Sequence, residues 1–566
     1  MSPDGAVVSL EQERRALARA RRAVDAKLAT FEAIRADDSG ADALSDEYIA
    51  AVVRGAVEKL QQDLVVFGRV DDDHAWRVGL YGIDEGGEQL VIDWRAPFAT
   101  RFYQATFDEP DGLERRVSYV GCIDDLFVEE FTTGLVAGSS PLLTELSRER
   151  GTTMRAAVAT LQSEQDALVR LDPRERLVLR GGPGTGKTVV GLHRAAWLVY
   201  NDNRIAAERI LVIGPSDKFL RFVATVLPTL GEARVTQTTF DRLLGPSTPA
   251  GSDPRWVDVL DALEDHLLRP QEVRVGHLGV PVAEVEALVE RLRDRPLPWR
   301  DKRKVFVDNL TSRLQQRRKT ITRSEVNAAA GEVWPAMTAK AAWAKLRSRA
   351  TLAELGAPAD LVDAWFADGR EDGALHDEVR ARFEGVPLRY GHVIVDEAQD
   401  LTFFQLRAVL RRGDGLTLVG DDAQRSNPAG IGLVAAAAAL DTPLATMDTA
   451  YRMSAEIADW LNAHADREGI EAVRLVGIRP TDTPVRELRR AAGADPEALA
   501  AELGERWHNV AVIRAGPSPS GSAEREGVWE HKGVEYDAVV VDAAGLTPAE
   551  VYLAASRAAH ELVVVH

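Results

Sequence analysis

The sequence predicts an α/β fold made of two units, with a helical hairpin before them and a helical insertion inside the first unit. Three observations support this prediction. A glycine-rich loop at residues 181–188 stands between an apolar run and a helical pattern. Strand-like apolar runs then alternate with helical patterns, which favours a parallel sheet. A stretch at residues 245–385, rich in Ala, Leu, Arg and Trp, interrupts this alternation.

Composition narrows the class of protein. A chain of 566 residues with 45% apolar and 28% charged residues is typical of a multidomain globular protein. The formal net charge of −19 disfavours a protein whose main task is to grip nucleic acid, because phosphate contacts require a basic surface. The single cysteine, Cys122, excludes an intrachain disulfide and a cysteine-rich metal site.

Targeting signals are also missing from the sequence. No apolar run approaches the ~18–20 residues of a membrane span, and the first five residues (MSPDG) do not resemble a signal peptide. Together with the single cysteine, this predicts a protein of the reducing cytoplasm that makes no membrane contact.

The N-terminal part, residues 1–70, is predicted to form an antiparallel helical hairpin. Leu10, Leu17 and Val24 recur every seven residues in a helical pattern over residues 9–36, and a second helical pattern begins near residue 45. Two helices joined by a short turn indicate a coiled-coil arm that projects from the body.

The tip of this predicted arm is acidic. Asp37, Asp38 and Asp42 lie in or next to the turn between the two helices. A solvated loop is the simpler interpretation of such a cluster, and a partner-binding tip is the alternative.

Residues 71–244 are predicted to form the first part of the first α/β unit, beginning with a β-rich extension. Residues 76–83, 89–94, 101–107 and 116–123 are rich in β-forming residues and are separated by turn residues. The stretch 92–98 (IDWRAPF) lies among them and indicates a structural role.

The glycine-rich loop predicts a phosphate site. Residues 177–179 form a short strand before it, and residues 189–200 form a helix after it. The loop backbone at Gly182, Gly184, Thr185 and Gly186 would direct N–H groups at phosphate oxygens, aided by the helix N-terminus. Lys187 would reach the β- and γ-phosphates, and the Thr188 hydroxyl would bind Mg²⁺. A glycine-rich surface loop is the alternative, but every fixed position matches.

Gln165 precedes this loop and is a candidate adenine contact, since an amide both donates and accepts hydrogen bonds.

The insertion at residues 245–385 contains a basic stretch, residues 291–320, with eleven Arg or Lys and three Asp. This stretch would bind nucleic acid or an acidic protein surface, or else it is a solvated helix face.

The first unit resumes at residues 386–440. An apolar strand at 392–395 delivers Asp396 and Glu397 at its carboxyl end. Asp396 would hold Mg²⁺, and Glu397 would accept a proton from the attacking water. A further strand at 416–420 precedes Gln424, which is placed to sense the γ-phosphate.

The second α/β unit is predicted at residues 441–566. Tyr451 and Arg452 begin a predicted helix, and apolar strands follow at 510–513, 538–541 and 562–565. An arginine that reaches the γ-phosphate from this unit would stabilise charge in the transition state. Arg452 and Arg557 are the two candidates.

In this order, these motifs resemble those of superfamily 1 helicases of the UvrD/Rep type over residues 161–566, apart from the insertion. The resemblance implies two RecA-like P-loop domains that clamp ATP and Mg²⁺ between them. It assigns adenine recognition to Gln165 and base stacking to Tyr451. It makes Arg452 and Arg557 the arginine fingers and gives Glu535 a contact with ribose or a role in coupling the domains.

The arm and the IDWRAPF stretch resemble the HelD family of helicase-like ATPases that associate with bacterial RNA polymerase. The resemblance implies an arm in the secondary channel of the polymerase and an insertion in its primary channel, so that ATP-linked motion frees stalled polymerase. We therefore expect a monomer that binds one polymerase core. In the secondary channel, Asp37, Asp38 and Asp42 would approach the catalytic Mg²⁺ or mimic nucleic-acid phosphate.

Two alternatives remain. One is a superfamily 1 DNA translocase or helicase in repair, and the other is a polymerase-sequestering protein for which ATP is only a conformational ligand. Residues 425–432 after Gln424 contain no aromatic side chain on which bases would stack, so we expect nucleic-acid contact to be indirect or weak. The pair Asp396 and Glu397 favours hydrolysis over sequestration.

Overall fold

The computed structural model describes residues 8–36, 66–120, 123–138, 161–230, 232, 234–386, 388–481, 483–490, 493–516, 526–529 and 531–566. The predicted second helix of the hairpin and the acidic tip formed by Asp37, Asp38 and Asp42 lie outside the described residues. Within the described ranges, no helix is long and apolar enough to span a bilayer.

The N-terminal part is one helix packed on a mainly antiparallel sheet of seven strands. The helix is α1 (Leu10–Ala36), and the strands are β1 (Val66–Asp71), β2 (Ala75–Gly79), β3 (Ile83–Glu85), β4 (Glu88–Asp93), β5 (Arg115–Val120), β6 (Asp125–Glu130) and β7 (Leu135–Ala137). Their order is β3-β4-β2-β1-β5-β6-β7, and β2 and β4 run parallel.

Glu13 fixes α1 to this sheet. Its carboxylate is 1% exposed, accepts hydrogen bonds from Arg69 at 2.6 Å and Arg77 at 2.9 Å, and also accepts one from the Tyr119 hydroxyl. Further along the helix, Lys27 donates to Asp84. The prediction of a projecting arm is therefore wrong for this part of α1, because its polar and apolar faces both contact the sheet.

The strand predicted at residues 101–107 is also wrong. Residues 100–104 form a short helix, α2 (Thr100–Gln104), which follows a 3₁₀ turn begun by Pro97. Phe102 and Tyr103 are neighbours and are both buried, whereas a strand would direct them to opposite faces. Tertiary packing of both rings near Phe67 overrides their β propensity.

The first α/β unit starts with the predicted strand, phosphate loop and helix. Its strands here are β8 (Arg176–Gly181), β9 (Ile210–Gly214) and β10 (Thr236–Thr239), and its helices are α3 (Ser163–Val169), α4 (Lys187–Asn201), α5 (Asp217–Thr229) and α6 (Phe240–Leu243).

The segment after α6 is mainly helical and has its own core. It contains α7 (Trp256–Leu267), the hairpin β11 (Val273–Val275) and β12 (Leu278–Val280), α8 (Val282–Arg293), α9 (Trp299–Arg317), α10 (Arg323–Ala330), α11 (Ala339–Leu346), α12 (Arg349–Glu354), α13 (Ala359–Ala367) and α14 (Gly373–Phe383). Five tryptophans, each no more than 8% exposed, lie in this core: Trp256, Trp299, Trp334, Trp343 and Trp365.

The chain then completes the first parallel sheet. It adds β13 (Tyr390–Val395), α15 (Phe403–Arg412), β14 (Gly413–Gly420), α16 (Gly432–Ala439) and β15 (Leu444–Met447). All neighbours in the order β10-β9-β13-β14-β8-β15 are parallel. The carboxyl ends of β8, β13 and β14 therefore meet at one edge, where such sheets bind ligands.

The C-terminal part forms a second parallel sheet. It contains β16 (Thr449–Ser454), α17 (Ala455–Glu468), β17 (Val476–Arg479), β18 (Arg486–Leu488), α18 (Pro496–Gly504), β19 (Val510–Ile513), α19 (Glu526–Trp529), β20 (Tyr536–Asp542), α20 (Pro548–Ala555) and β21 (Ala558–Val565). Neighbouring strands in the order β18-β21-β20-β19 all run parallel. Strands β16 and β17 form a separate parallel pair.

Tyr451 and Arg452 correct a further prediction, because they lie in β16 and do not begin a helix. Helix α17 begins at Ala455, where the Ser454 side chain accepts a hydrogen bond from the backbone N–H of Ile457. A serine cap of this kind defines the boundary more strongly than the apolar pattern before it.

A charged cluster joins the helical segment to the first sheet. Asp377 and Glu378 on α14 are 4% and 1% exposed and face arginines of α15. Arg412 donates to Asp377 at 2.6 Å, Arg407 donates to Glu378 at 2.8 Å, and Arg411 contacts both carboxylates. Since α15 begins shortly after Asp396 and Glu397, this cluster connects the helical segment to the edge of the sheet where they lie.

We expect Glu378→Gln to lower the free energy of unfolding by roughly 1.5–3 kcal/mol, because it removes a buried charge that accepts hydrogen bonds from Arg407, Arg411 and Arg382. Tryptophan fluorescence during urea unfolding measures this loss, since the helical segment holds five tryptophans. Asp414→Asn is the matched control, because Asp414 forms an exposed pair with Arg389 and such pairs contribute about 0–1 kcal/mol. Equal losses in the two variants would contradict the prediction.

The same cluster predicts a dependence of stability on pH. Burial alone would raise the pKa of Glu378, but hydrogen bonds and charges from Arg407, Arg411 and Arg382 outweigh it and lower that pKa to about 2. Because the folded-state pKa lies below the ordinary value of 4.5, the stabilisation is complete above that value. It is lost as the pH falls towards 2, and Glu378→Gln should remove this part of the acid dependence.

Candidate nucleotide site

The phosphate loop joins β8 to α4. Gly184 and Gly186 have φ angles of 73° and 89°, which only glycine adopts without strain. The Thr185 hydroxyl donates to the carbonyl of Gly182 at 2.8 Å and closes the loop. A side chain at Gly186 would also meet the Gln165 amide at 2.7 Å. The loop therefore has the curled backbone that places successive N–H groups around an anion.

Lys187 and Thr188 occupy the first turn of α4. The Lys187 ammonium donates to the carbonyl of Gly182 at 2.7 Å, so it lies against the loop. The Thr188 hydroxyl donates to Asp396 Oδ2 at 2.7 Å. This hydrogen bond brings together the end of β13 and the start of α4, as the sequence predicts.

Thr188 and Asp396 suit a magnesium ion. A hydroxyl and a carboxylate side by side are hard oxygen ligands, and Mg²⁺ in phosphate sites keeps few protein ligands because phosphate and water supply the rest. Burial and the neighbouring charge of Glu397 raise the pKa of Asp396 above its usual value, and a bound cation would oppose this shift. Within the described residues, no group of three His, Cys, Asp or Glu is arranged to hold a metal ion.

Glu397 is held in a strained position beside Asp396. Its φ angle of 54° is left-handed, which is unusual for a side chain of this size. Gln399 donates to Glu397 Oε2 at 2.6 Å, and the Lys532 ammonium lies 3.4 Å from the same oxygen. Burial would raise the pKa of Glu397, but the charge of Lys532 and the hydrogen bond from Gln399 outweigh it and lower that pKa. Glu397 is therefore an anion able to accept a proton.

Gln424 and Arg557 meet across the two units. Arg557 follows α20 and donates to Gln424 Oε1 at 2.6 Å, while Gln424 Nε2 donates to Asp421 Oδ2 at 2.8 Å. Arg557 is 6% exposed, and burial lowers its pKa, whereas the charges of Glu397, Glu535 and Asp421 oppose the change. The structure thus brings together two predicted residues that are far apart in the chain.

Arg452 also faces the phosphate loop from the second unit. It pairs with Glu535 at 3.1 Å, and Gly184, Arg452, Glu535 and Arg557 line a small cleft between the two units. Leu475 closes the other side, since a side chain at Gly182 would lie 2.3 Å from its Cδ2 atom. Residues of the second unit therefore face the phosphate loop on both sides.

Gln165 and Tyr451 lie on the same side of the loop. Gln165 Nε2 donates to the carbonyl of Thr185 at 3.0 Å, and its Oε1 accepts from the backbone N–H of Gln162 at 3.1 Å. The backbone N–H of Tyr451 donates to the carbonyl of Gly184 at 3.0 Å. The two predicted base contacts are thus adjacent to the loop, but both amide atoms of Gln165 already have protein partners.

Lys532 is a functional residue that the sequence analysis did not identify. It comes from the second unit and is 10% exposed, and its ammonium donates to Asp400 Oδ2 at 2.5 Å, to the carbonyl of Gln424 at 3.1 Å and to Ser426 at 3.2 Å. Lys532 therefore joins the second unit to the segment that carries Glu397. Its position just before Gly533 and Glu535 was visible in the sequence, but its partners are more than 100 residues away.

The IDWRAPF stretch joins the N-terminal sheet to the nucleotide site. Trp94 is 0% exposed, and its ring packs edge-on against His193 of α4 at 5.3 Å. Arg95 pairs with Asp93 and with Glu232, each at 2.8 Å. Arg170, at the end of α3, donates to the carbonyl of Trp94 at 2.9 Å. The N-terminal sheet is thus docked on the helix that begins with Lys187.

Comparison with known proteins identifies two segments of the chain. Residues 10–121 match the family model described as DNA helicase IV HelD, N-terminal domain. Residues 164–429 match the model described as AAA domain, a helicase-type P-loop domain. A search of curated proteins found no match.

Solved structures show only partial likeness. The arterivirus nonstructural protein 10 helicase is 18% identical with a TM-score of 0.23, and the match covers 33% of this chain and 41% of the helicase. The PRRSV helicase is 16% identical with a TM-score of 0.22, and the match covers 31% of this chain and 35% of the helicase. For a complex of the arterivirus helicase with DNA, the sequence identity is 21% and the TM-score is 0.23. The match covers 32% of this chain and 41% of that one. This chain thus spans less than half of the length of each of these helicases.

The two family models match in the order that the sequence motifs predict, and the second includes the loop at 181–188 and the pair Asp396 and Glu397. The chain belongs to the HelD family of helicase-like superfamily 1 ATPases.

Proposed function

We propose that this protein is an ATP-hydrolysing factor that binds the core of bacterial RNA polymerase and frees stalled polymerase from nucleic acid. The observation that carries the proposal is the docking of the HelD-type N-terminal sheet on α4, through Trp94 and His193. A module characteristic of a polymerase-associated family is thereby attached to the helix that begins at the phosphate loop. The two parallel sheets act as two RecA-like domains.

Hydrolysis uses side chains from both units. Glu397 accepts the proton of the attacking water, and Gln424 lies beside the γ-phosphate and senses it. Arg557 already donates to Gln424, and Arg452 exchanges Glu535 for phosphate when the units close on the substrate. Lys187 leaves the Gly182 carbonyl to reach phosphate. Mg²⁺ held by Thr188 and Asp396 would neutralise charge on the phosphates.

Motion at the nucleotide site reaches the rest of the chain through two rigid connections. The charged cluster of Asp377 and Glu378 ties the helical segment to α15, which lies next to the Asp396–Glu397 turn. Arg95 and Trp94 tie the N-terminal sheet to α4 and Glu232. Closing and reopening of the two units would therefore move the N-terminal part and the helical segment relative to the second unit.

Co-elution with RNA polymerase core on a sizing column, without nucleic acid, tests this function. We expect a stable one-to-one complex of the full chain with the core enzyme. A chain that does not bind polymerase, and whose ATPase activity rises steeply with single-stranded DNA at low salt, would contradict the proposal and indicate a repair translocase.

The same column tests the acidic tip. We propose that Asp37, Asp38 and Asp42 contact the polymerase, so their joint replacement by alanine should weaken the complex or abolish inhibition of transcription. The matched control is the joint replacement of Asp73, Asp108 and Asp125 by alanine, which removes the same charge from exposed positions of the N-terminal part. Unchanged binding and inhibition in the Asp37, Asp38 and Asp42 variant would show that the tip is only a solvated loop.

A further inference from the structure

Lys532 places a nearly buried ammonium at the contact between the two units. Its side chain is 10% exposed, and it donates to Asp400 Oδ2 at 2.5 Å, to the carbonyl of Gln424 at 3.1 Å and to Ser426 Oγ at 3.2 Å. All three acceptors belong to the first unit, whereas Lys532 belongs to the second. The three N–H groups of the ammonium are thus all used across the contact.

Asp400 extends this contact to the segment that follows Gln424. Its Oδ1 accepts hydrogen bonds from the backbone N–H groups of Ser426 at 2.7 Å and Asn427 at 2.9 Å, and its Oδ2 accepts one from the Ser426 hydroxyl at 2.5 Å. The Asn427 side chain also donates to the carbonyl of Asp400 at 3.0 Å. Lys532 therefore completes a network that starts just after Glu397 and ends at Gln424.

The same ammonium faces the proposed base. It lies 3.4 Å from Glu397 Oε2, the oxygen that also accepts a hydrogen bond from Gln399 at 2.6 Å. The backbone of Glu397 is left-handed, with a φ angle of 54°, and such a conformation persists only where surrounding contacts hold it. Lys532 brings one of these contacts from the second unit.

Separation of the two units would disrupt this arrangement. Burial would lower the pKa of Lys532, but the charges of Glu397 and Asp400 outweigh it and raise that pKa, so the side chain is a cation. Without Lys532, these two carboxylates would lose the cation that they share, and the carbonyl of Gln424 would lose a donor. Glu397 and Gln424 are thus held by a partner that is present only when the units touch.

We propose that Lys532 is a positioning residue that makes hydrolysis depend on contact between the units: it holds Glu397 and Gln424 in place for the attack of water only while the second unit is docked on the first. Lys532 acts through these two residues and accepts no proton itself. The inference rests on the proposed function, because it requires Glu397 to be the base and Gln424 to lie beside the γ-phosphate. It adds a reason why ATP bound to separated units is not hydrolysed.

Lys532→Met tests this role, because it keeps the length and the apolar stem of the side chain and removes the ammonium. We expect kcat for ATP to fall by roughly 10- to 100-fold, the range of a hydrogen bond to a charged group. The Kd for ATP should stay within a few-fold, since Lys532 contacts the segments of Glu397 and Gln424. Single-turnover hydrolysis and equilibrium binding of ATP measure the two quantities. Arg474→Met removes an exposed cation from the same unit and should change neither.

Asp400→Asn tests the contact from the side of the first unit. The exchange keeps the shape of the side chain and removes the charge that Lys532 faces, so kcat should fall in the same range. Because both residues act through one contact, the chain with both exchanges should be slower than the slower single variant by no more than about threefold. Thermal unfolding shows whether each variant is folded, and Asp400→Asn decides the question alone if Lys532→Met does not fold.

A folded Lys532→Met chain that keeps more than about half of its kcat would overturn the inference. Rate losses of the two single variants that multiply in the double variant would also overturn it, because they would show independent actions. A loss of ATP affinity large enough to explain the lower rate would assign Lys532 to binding and contradict the inference as well.

These outcomes are separate from those of the proposed function. If Glu397→Gln lowers kcat but Lys532→Met does not, only the role of Lys532 is wrong. If Glu397→Gln hydrolyses ATP at the normal rate, the proposed base is wrong and the inference fails with it. Co-elution with RNA polymerase core is measured without ATP turnover and does not depend on either result.

Discussion

Replacing Glu397 by glutamine is expected to lower kcat for ATP by about 100-fold or more, because general-base catalysis contributes ~10²–10⁴-fold. The exchange keeps the size of the side chain and removes its proton-accepting charge. Its remaining oxygen can still accept the hydrogen bond from Gln399, and Lys532 keeps its contact with Asp400. The Kd for ATP should therefore stay within a few-fold of that of the unaltered chain. Steady-state hydrolysis and equilibrium nucleotide binding measure the two effects separately.

Glu354→Gln is the matched control for this variant. Glu354 is an exposed residue at the end of α12 in the helical segment, so its exchange should leave both kcat and Kd unchanged. A Glu397→Gln chain that turns over ATP at nearly the normal rate would show that another group accepts the proton. A Glu397→Gln chain that no longer binds ATP would show that Glu397 contributes to ATP binding and not only to the transition state.

Replacing Arg557 by alanine is expected to lower kcat by ~10³-fold or more, the range found for arginines that stabilise phosphoryl transfer. The reason is that Arg557 extends from the second unit and its guanidinium donates a hydrogen bond of 2.6 Å to Gln424 Oε1. Arg557→Lys should restore only a small part of the rate, because an ammonium lacks the planar fork of the guanidinium. The measurement is kcat and KM for ATP, together with thermal unfolding.

Arg474→Ala provides the control, since Arg474 is 77% exposed in the second unit and pairs only loosely with Asp466. It should leave kcat unchanged. Arg557 is buried, so the unfolding curve of each variant shows whether a lost rate reflects a lost fold. A folded Arg557→Ala chain that keeps more than about a tenth of its kcat would remove Arg557 from the transition state.

The sequence was sufficient for the parts of the site that depend on local pattern. The loop at 181–188 lies between a strand and a helix, and Asp396 follows a buried strand, so local pattern alone is enough to select Thr188 and Asp396 as candidate magnesium ligands. In the structure, the Thr188 hydroxyl donates to Asp396 Oδ2 at 2.7 Å, so the two predicted magnesium ligands lie side by side.

Where local propensity competed with tertiary packing, prediction failed. Phe102 and Tyr103 are strong β formers, yet they lie in a helix because both rings are buried against the N-terminal sheet. Tyr451 extends a strand that contacts Gly184, although the residues after it follow a helical pattern. In both places the deciding contact is with a distant segment, which a local pattern does not contain.

The contacts between the units could not be predicted for the same reason. Lys532 reaches Asp400, and Arg557 reaches Gln424, over separations of 132 and 133 residues. The sequence identified Arg557 as a candidate only because the chemistry requires a cation there. Nothing in the residues around Lys532 indicates which groups it faces in the folded chain.

Release of nucleic acid from stalled RNA polymerase over repeated rounds is the measurement that tests the account most directly. Core polymerase is halted on labelled DNA and RNA, and release is followed with a small amount of this protein and excess ATP. The account predicts many rounds of release by the unaltered chain and at most one round by Glu397→Gln. Repeated release by Glu397→Gln, or by the unaltered chain with a non-hydrolysable ATP analogue, would contradict it and show that ATP is only a conformational ligand.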